Sequence, residues 1–580
     1  MVRQLMKCIR EYKKVTIITL LLIIGESVIE IFIPYITAEL VNDIKDNVPM
    51  GDVVRSGIFL AVLAICSLGF GGAAGFTSAK ASAGFAKNVR KDVFRKIQTF
   101  TFGNIDKFSS SSLVTRLTTD VANVQMSYMM IIRIAVRAPI MLIFAIVMAY
   151  IMAGKLAATF VIVVPLLGIG LFIIAKKAMP AFRSVFRKYD KLNESIEENV
   201  RAMRVVKGFS REEHEKQKFS TAADNIRKDF TRAERIVALN NPLMQFCIYF
   251  NMAFVLIVGS SMIISGKGQD IDVGQISAML TYGMQILISL MMLSMIFVII
   301  TISAESAKRV CEVLSEEPAL HNPEEPVTKV ADGSIDFINV SFKYSETAEK
   351  YALADIDLHI SSGMTVGIIG GTGSSKSTLV QLIPRLYDVT AGCVKIGGRD
   401  VREYDIETLR DSVAMVLQKN LLFSGTIADN LRWGNKYASK EELEEVCRIA
   451  QADEFIKTFP EGYETKIEQG GTNVSGGQKQ RLCIARAMLK KPKILILDDS
   501  TSAVDTKTDA RIRQGFRDYI PETTKIIIAQ RISSVQDADL IVVMDNGRIS
   551  AQGNHEQLLK TSSIYREVYE QQTNGGESDE

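Results

Sequence analysis

The sequence predicts a chain in two parts: an all-α polytopic membrane domain of six long helices, then an α/β domain of the P-loop NTPase type. Three observations carry this. Uncharged apolar runs of membrane length crowd the first half. An acidic, proline-bearing stretch, "SEEPALHNPEEPVTKVADGS", ends that pattern. Beyond it a glycine-rich segment, "GGTGSSKST", stands between an apolar strand and a helix, which is the setting a phosphate-binding loop needs.

Composition fits two unlike halves. The 580 residues are 47% hydrophobic and 23% charged, both near soluble averages. Mean hydropathy is nevertheless +0.15, so one part must be very apolar and the other ordinary. A disordered chain, a collagen and a small secreted scaffold are excluded. Lys and Arg number 68 against 65 Asp and Glu, a net +3 that does not point to a nucleic-acid partner. The seven cysteines, Cys8, Cys66, Cys247, Cys311, Cys393, Cys447 and Cys483, are scattered with no CxxC pair. They read as reduced thiols in apolar surroundings.

Six spans are expected, at about 15–36, 57–79, 134–152, 156–175, 242–265 and 273–304. Four carry no charge at all: Gly57 to Ala79, Leu156 to Ala175, Pro242 to Ser265 and Val273 to Ala304. Each exceeds the roughly 18 residues that mark a membrane helix. The first contains Glu26 and Glu30, and the third contains Arg137. A cleaved signal peptide does not fit, because the first span is long and others follow. Basic residues set the orientation. Residues 1–14 hold five, 80–120 hold eight and 176–236 hold sixteen, whereas 37–56 hold two and 154–155 and 266–272 one each. Both termini and the two long loops are therefore cytoplasmic. The last run, at 1.5 Å per residue, reaches about 48 Å and should continue beyond the bilayer core. Ile196, Val200, Met203 and Val206 recur at helical spacing, so the long loops read as helical extensions with short turns at their tips.

Glu26 and Glu30 lie four apart and share one helix face. An acid inside a membrane is either a cation-attracting or proton-linked wall of a substrate path, or it pairs with a nearby cation, here Arg133 or Arg137, or meets a water-filled cavity. Pairing or contact with water is the more ordinary outcome. Met284, Met291, Met292 and Met295 crowd the sixth span. They could form an adaptable apolar surface, though methionine there usually fills packing gaps.

In the second half "SIDFINVSFKY", "MTVGIIG", "KILILD" and "KIIIA" read as strands. Asn546–Gly547 between "LIVVMD" and "RIS" is a hairpin signal. In "GGTGSSKST" the backbone amides of Gly370, Gly371, Thr372, Gly373, Ser374 and Ser375 would cradle phosphates. Lys376 would neutralise β and γ oxygens, and Ser377, followed by Thr378, would ligate Mg²⁺. The strict pattern has Gly before the Lys; this chain has Ser375. "KILILDDS" ends a strand in acid and places Asp498 as a Mg²⁺-binding carboxylate.

Between these lies "VSGGQ", Val474 to Gln478. The ordered set "KYALADIDL", "GTGSSKST", "VSGGQKQR" and "LDDSTSAVD" resembles an ATP-binding cassette. Six spans before one cassette resemble an ABC exporter half-transporter, and the resemblance covers essentially the whole chain. "LVTRLTTDVANV" and "LNESIEENVRAMRVVKGFSREE" are similar to the family's first and second intracellular loops. It implies that loop tips act as coupling helices on the cassettes and that the fourth and fifth helices cross to a partner. It also implies ATP sites shared between two chains. Tyr344 matches the aromatic that stacks on adenine. Gly370, Gly371, Thr372, Gly373, Ser374, Ser375, Lys376, Ser377 and Thr378 match the phosphate loop. Gln418, in "VLQKNLLFSGTI", matches the glutamine that contacts Mg²⁺. Ser475, Gly476, Gly477 and Gln478 match the signature that caps ATP bound by the opposite chain, with Val474 in place of Leu. Asp505 matches the D-loop aspartate. The expected organisation is a membrane domain over 1–314, a linker over 315–334, a cassette over 335–567 and a polar tail over 568–580.

Three positions depart from the family. Its general base is a Glu directly after the strand-ending Asp; here it is Asp499, one methylene shorter, and small misplacements lose large rate factors. The switch His is Gln530, which can hydrogen-bond but cannot titrate. Gln469 replaces a loop Glu before the signature. The chain's histidines, His214, His321, His359 and His555, match none of these positions. The expectation is a catalytic set of Asp499, Gln530 and Gln418, with metal ligands Ser377, Gln418 and Asp498. Such a site binds Mg-ATP and hydrolyses it slowly. The chain then resembles the degenerate-site subunit of a heterodimeric bacterial multidrug-type exporter, whose partner supplies Glu and His. Alternatives are a homodimer with two slow sites, or an ATP-gated channel or membrane regulator. An importer subunit would split spans and cassette, and a peptidase-bearing exporter would have more than 14 residues before the first span. The expected surroundings are a plasma-membrane bilayer and a drug, lipid or peptide substrate, with the cassette cytoplasmic.

Overall fold

A computed structural model describes residues 1–46, 48–265, 271–346, 348–499 and 504–574. Its contacts divide the chain into two compact units. One is Met1–Thr99 with Ser109–Glu316, and the other is Phe100–Phe108 with Glu317–Glu580. The sequence placed the whole first loop with the membrane half and began the cassette at 335. The difference arises because residues 100–108 pack on the cassette.

Among the described residues, six helices of the first unit overlap the expected spans: Lys13–Lys45, Met50–Gln98, Val121–Ala153, Thr159–Arg201, Asn240–Ser265 and Val273–Ser315. Among the described residues five continuous runs are long and apolar enough to cross a membrane, and one of them, Ser110–Phe182, holds the third helix and the first part of the fourth. Gly154, at φ +47°, ends the third helix, and a 3₁₀ turn over Gly154–Ala158 leads into the fourth. The sixth begins at a capping box. There the Asp272 carboxylate accepts from Gln275 N at 2.7 Å, and Gln275 Oε1 accepts from Asp272 N at 3.1 Å. Two further helices, Met203–Gly208 and Glu212–Val237, form the tip and return of the second loop. Ile196, Val200, Met203 and Val206 line a cleft of about 520 Å³ there with Phe219.

Small residues let the third helix approach its neighbours. Ala145, Ala149 and Ala153, four apart, are buried in one cluster with Ile31, Met279, Tyr282 and Ile286. Ile65, Leu68, Phe76 and Val161 stay exposed, as a lipid-facing surface requires. Arg137 settles the choice between partners. Its Nη1 lies 2.9 Å from Glu26 Oε1 and its Nη2 lies 2.6 Å from Glu30 Oε2. One guanidinium thus bridges both acids on the first helix. At the cytoplasmic end a π turn, Arg116–Asp120, precedes the third helix. The fully buried Asp120 pairs with Arg309 of the sixth helix, and Arg116 reaches Glu312 at 3.1 Å.

The second unit holds twelve described strands. An antiparallel sheet has the order β2-β1-β4-β5, with β1 Ile335–Phe342, β2 Leu353–Ile360, β4 Ala391–Ile396 and β5 Arg399–Asp400. A six-stranded sheet has the order β12-β11-β3-β10-β9-β6. Its strands are β3 Thr365–Gly370, β6 Val413–Val416, β9 Ile494–Asp498, β10 Thr524–Ile528, β11 Leu540–Asp545 and β12 Arg548–Gly553. The pair β7 Gly425–Thr426 and β8 Lys466–Ile467 stands apart. All pairings in the six-stranded sheet are parallel except β11 with β12. Asn546 and Gly547, at φ +46° and +76°, make the tight hairpin joining those two. Val366, Ile368, Ile494, Ile496, Ile526 and Ile528 bury one face of this sheet against the antiparallel sheet. Leu495, Leu497, Ile527, Ile541 and Val543 bury the other against helices.

Within this unit the short helix Phe102–Phe108 is held by polar anchors. Asn104 donates to Glu317 O at 3.0 Å, and Tyr387 Oη donates to Asp106 Oδ2 at 2.8 Å. The expected polar tail from 568 differs as well. Helix Ser563–Asn574 runs through its first part, because Val568 and Tyr569 pack on the core. Residues 575–580 lie outside the described residues.

Candidate nucleotide site

Parallel strands bring the chemistry together. Ile368 of β3, Ile528 of β10 and Asp498 of β9 are in register across three neighbours, and β6 continues the series beside β9. The segments leaving these strand ends carry Gly370 to Thr378, Gln530, Asp498–Asp499 and Gln418. The carboxyl ends of parallel strands are where such sheets bind ligands.

Gly370 ends β3 where a Cβ would lie 2.2 Å from Met544 O, so only glycine fits. The loop then passes Gly373 and reaches Ser375, at φ +69° and ψ +25°, immediately before helix Lys376–Gln381. The missing family glycine therefore falls at a left-handed position, where a side chain is disfavoured by about 1–2 kcal/mol. Ser375→Val, with a β-branched side chain, should lower cassette stability by about that amount relative to Ser375→Gly. Thermal unfolding of the two full-length variants checks this, and equal midpoints would refute it.

Lys376 Nζ lies 2.8 Å from Gly370 O, 2.9 Å from Gly371 O and 3.3 Å from Ser374 Oγ. Burial pushes its pKa down, while Asp498 and Asp499 push it up. Ser377 Oγ donates to Asp498 Oδ1 at 3.0 Å. Asp498 is buried, and desolvation holds its carboxyl above the usual range, helped by Asp499 and opposed by Ser377 and Lys376. A partly buried hydroxyl–carboxylate pair of oxygens suits a hard divalent cation.

Asp499 follows in a left-handed conformation, φ +48°, with its N–H bonded to Ile528 O at 3.0 Å. Gln530 Nε2 donates to Asp499 Oδ2 at 3.0 Å, and Gln418 also bonds this carboxylate. Burial raises the Asp499 pKa; these two amides and Lys376 oppose it. Tyr344 Oη meets Thr378 Oγ1 at 2.9 Å, and its half-exposed ring stands edge-on to Tyr387 at 5.3 Å. Tyr387 was not singled out in the sequence, where an aromatic in "RLYD" was its only signal. Burial, then its bond to Asp106, raises its phenol pKa.

The signature residues stand on a different element. Ser475 caps helix Gly476–Leu489 in a capping box with Gln478 and is exposed, while Val474 packs into the core. Asp505 caps helix Thr506–Tyr519 by accepting from Thr508 N at 2.9 Å, and its bonds from the Thr508 hydroxyl first and this N–H second lower its pKa. Residues 500–503 of "LDDSTSAVD" lie outside the described residues. Gln469 is exposed at the start of a 3₁₀ turn, Gln469–Gly471.

The profile of the ABC transporter transmembrane region matches residues 16–304, and the profile of the ABC transporter family matches residues 353–502. The chain belongs to the ABC transporter family. Among similar proteins, "Uncharacterized ABC transporter ATP-binding protein YfiB" of Bacillus subtilis is 35% identical, covering 97% of each chain. The "Fatty acid ABC transporter ATP-binding/permease protein" of Mycobacterium bovis is 32% identical, covering 83% of this chain and 75% of its own. A solved bacterial Atm1-family ABC exporter with ATP bound superposes with a TM-score of 0.83 at 23% identity, covering 97% of this chain and 98% of its own. This ABC transporter is accordingly a multi-pass membrane half-transporter of exporter fold. Its cassette binds ATP and is an ATPase coupled to transport, and a half of this kind works with a second half.

Proposed function

We propose that this chain is the slow-site half of an asymmetric exporter pair that moves amphipathic drugs, lipids or peptides out across the membrane. One observation carries the reading: the 3.0 Å bond from Gln530 Nε2 to Asp499 Oδ2. The carboxylate at the general-base position is a short one, and it is engaged by an amide that carries no charge. A base must reach the attacking water with the right geometry and pKa. Asp499, drawn back by one methylene and tied to Gln530 and Gln418, falls short on geometry.

The rest of the site favours binding. The loop amides over Gly370–Ser375 and the ammonium of Lys376 would take the phosphates, and Tyr344 the adenine. Ser377, Asp498 and Gln418 would hold Mg²⁺, which when bound offsets charge on the phosphate oxygens. Ser475, Gly476 and Gly477 would complete the partner's site, with Asp505 at the same interface. Closure of the two cassettes on ATP would then shift the membrane helices, to the extent that ATP favours the closed state. The fatty-acid relative keeps lipid-like molecules among the substrates considered.

The test compares ATPase rates of the purified chain alone and with its co-expressed partner half. Low turnover alone and brisk turnover in the pair are expected; brisk turnover by the lone chain would favour a homodimer and sink this reading. In the pair, Asp499→Glu with Gln530→His should raise single-turnover hydrolysis at this chain's site by about 10²-fold, the usual worth of a positioned base. An unchanged rate would mean that another step limits the site.

A further inference from the structure

Helix Ser563–Asn574 presents an inward stripe at Tyr565, Val568 and Tyr569, spaced by three and one. Tyr565 is fully buried, and its hydroxyl meets His555 Nδ1 at 2.7 Å. The next position on that stripe, one turn on, is 572. An apolar residue would continue the pattern; the chain has Gln572. The reason is what it faces. Gln572 Nε2 donates to Gln530 O at 2.8 Å, and Gln572 Oε1 accepts from Ile532 N at 2.8 Å. One side-chain amide therefore holds the backbone on both sides of Arg531. The same Gln530 gives its own amide to Asp499.

From this two-bond grip we infer that Gln572 is a positioning residue, through which the C-terminal helix fixes the loop that aims Gln530 at the nucleotide. Gln572 acts through Gln530 rather than on the substrate. An amide is the right group, since it must donate to a carbonyl and accept from an N–H at once. A Glu of the same shape accepts only, and its charge would face the Gln530 carbonyl. The inference rests on the proposed function, in which Gln530, at the switch position beside Asp499, would hydrogen-bond the γ-phosphate. Its mark is therefore discrimination between ATP and ADP, because ADP has no γ-phosphate for the loop to sense.

The experiment is photolabelling of the full-length pair with 8-azido-ATP and 8-azido-ADP, titrated separately and read on this chain's band. Gln572→Leu should lower the preference for ATP over ADP about five- to tenfold, with ADP labelling unchanged. Gln572→Glu should fall between Leu and the parent chain, since one of two bonds survives. Gln530→Ala should lose the preference to at least the same degree. If Gln530→Ala loses the preference while Gln572→Leu and Gln572→Glu keep it, the positioning role is overturned and the reading of Gln530 stands. If Gln530→Ala itself keeps it, that reading fails and the inference falls with it. Equal weakening of ATP and ADP in both Gln572 variants would show a general packing role and overturn the proposal.

Discussion

Ser475→Ala in this chain is expected to lower ATP turnover of the assembled pair by about 10²-fold, while ATP photolabelling of this chain's own phosphate loop survives. Removing one preorganised donor at a developing charge commonly loses 10²- to 10³-fold in rate. Ser475 sits exposed at the amino end of helix Gly476–Leu489, the end whose dipole favours an anion. Its phosphate would come from the other chain. Lys376→Ala should have the opposite signature. It removes the ammonium held by Gly370 O, Gly371 O and Ser374 Oγ, and with it the labelling of this chain. Unaltered turnover in the Ser475→Ala pair would end the idea that this chain completes a competent site elsewhere.

The second large effect is expected in the membrane. Arg137→Ala leaves Glu26 and Glu30 without their shared partner, and stability should fall by about 3–5 kcal/mol. Removing all three charges, as Arg137→Leu with Glu26→Gln and Glu30→Gln, should lie much closer to the parent, because no charge is stranded. Thermal unfolding in lipid nanodiscs compares the two. A triple variant as unstable as the single one would show that the ion pairs themselves, rather than the avoidance of orphaned charge, hold these helices. The carboxylates come from one helix and the guanidinium from another, so either variant also reports on how tightly the first and third helices are locked.

Local features of this chain were legible because their causes are local. Asn546–Gly547 requires positive φ at two successive residues, and the hairpin follows. The phosphate loop is legible for the same reason, since Gly370 and Lys376 obey backbone rules within nine residues. The shared face of Glu26 and Glu30 is helix arithmetic. Their partner was not legible: Arg133 and Arg137 are one turn apart, and only the rotation of one helix against another selects between them. Phe102–Phe108 was assigned to the membrane half because chain order suggests it, whereas Tyr387 and Glu317, more than two hundred residues away, draw it to the cassette. Gln572 falls within the polar tail that chain order suggests for the same reason. Its two partners lie some forty residues upstream in a different element, and no periodicity announces them.

The membership of Phe100–Phe108 in the second unit also bears on dissection of the molecule. A C-terminal fragment beginning near Glu317 would look like a whole ATPase in the gene, yet in space it would be missing a peg. Asp106 would no longer receive the Tyr387 hydroxyl, and the Phe102 ring would no longer stand against the Tyr387 ring that neighbours Tyr344. Nucleotide affinities measured on such a fragment would describe a surface with an open socket close to Tyr344. Supplying the nine-residue peptide in trans offers a way to plug that socket and to weigh, as a binding constant, a joint that in the intact chain is hidden by its own covalent tether.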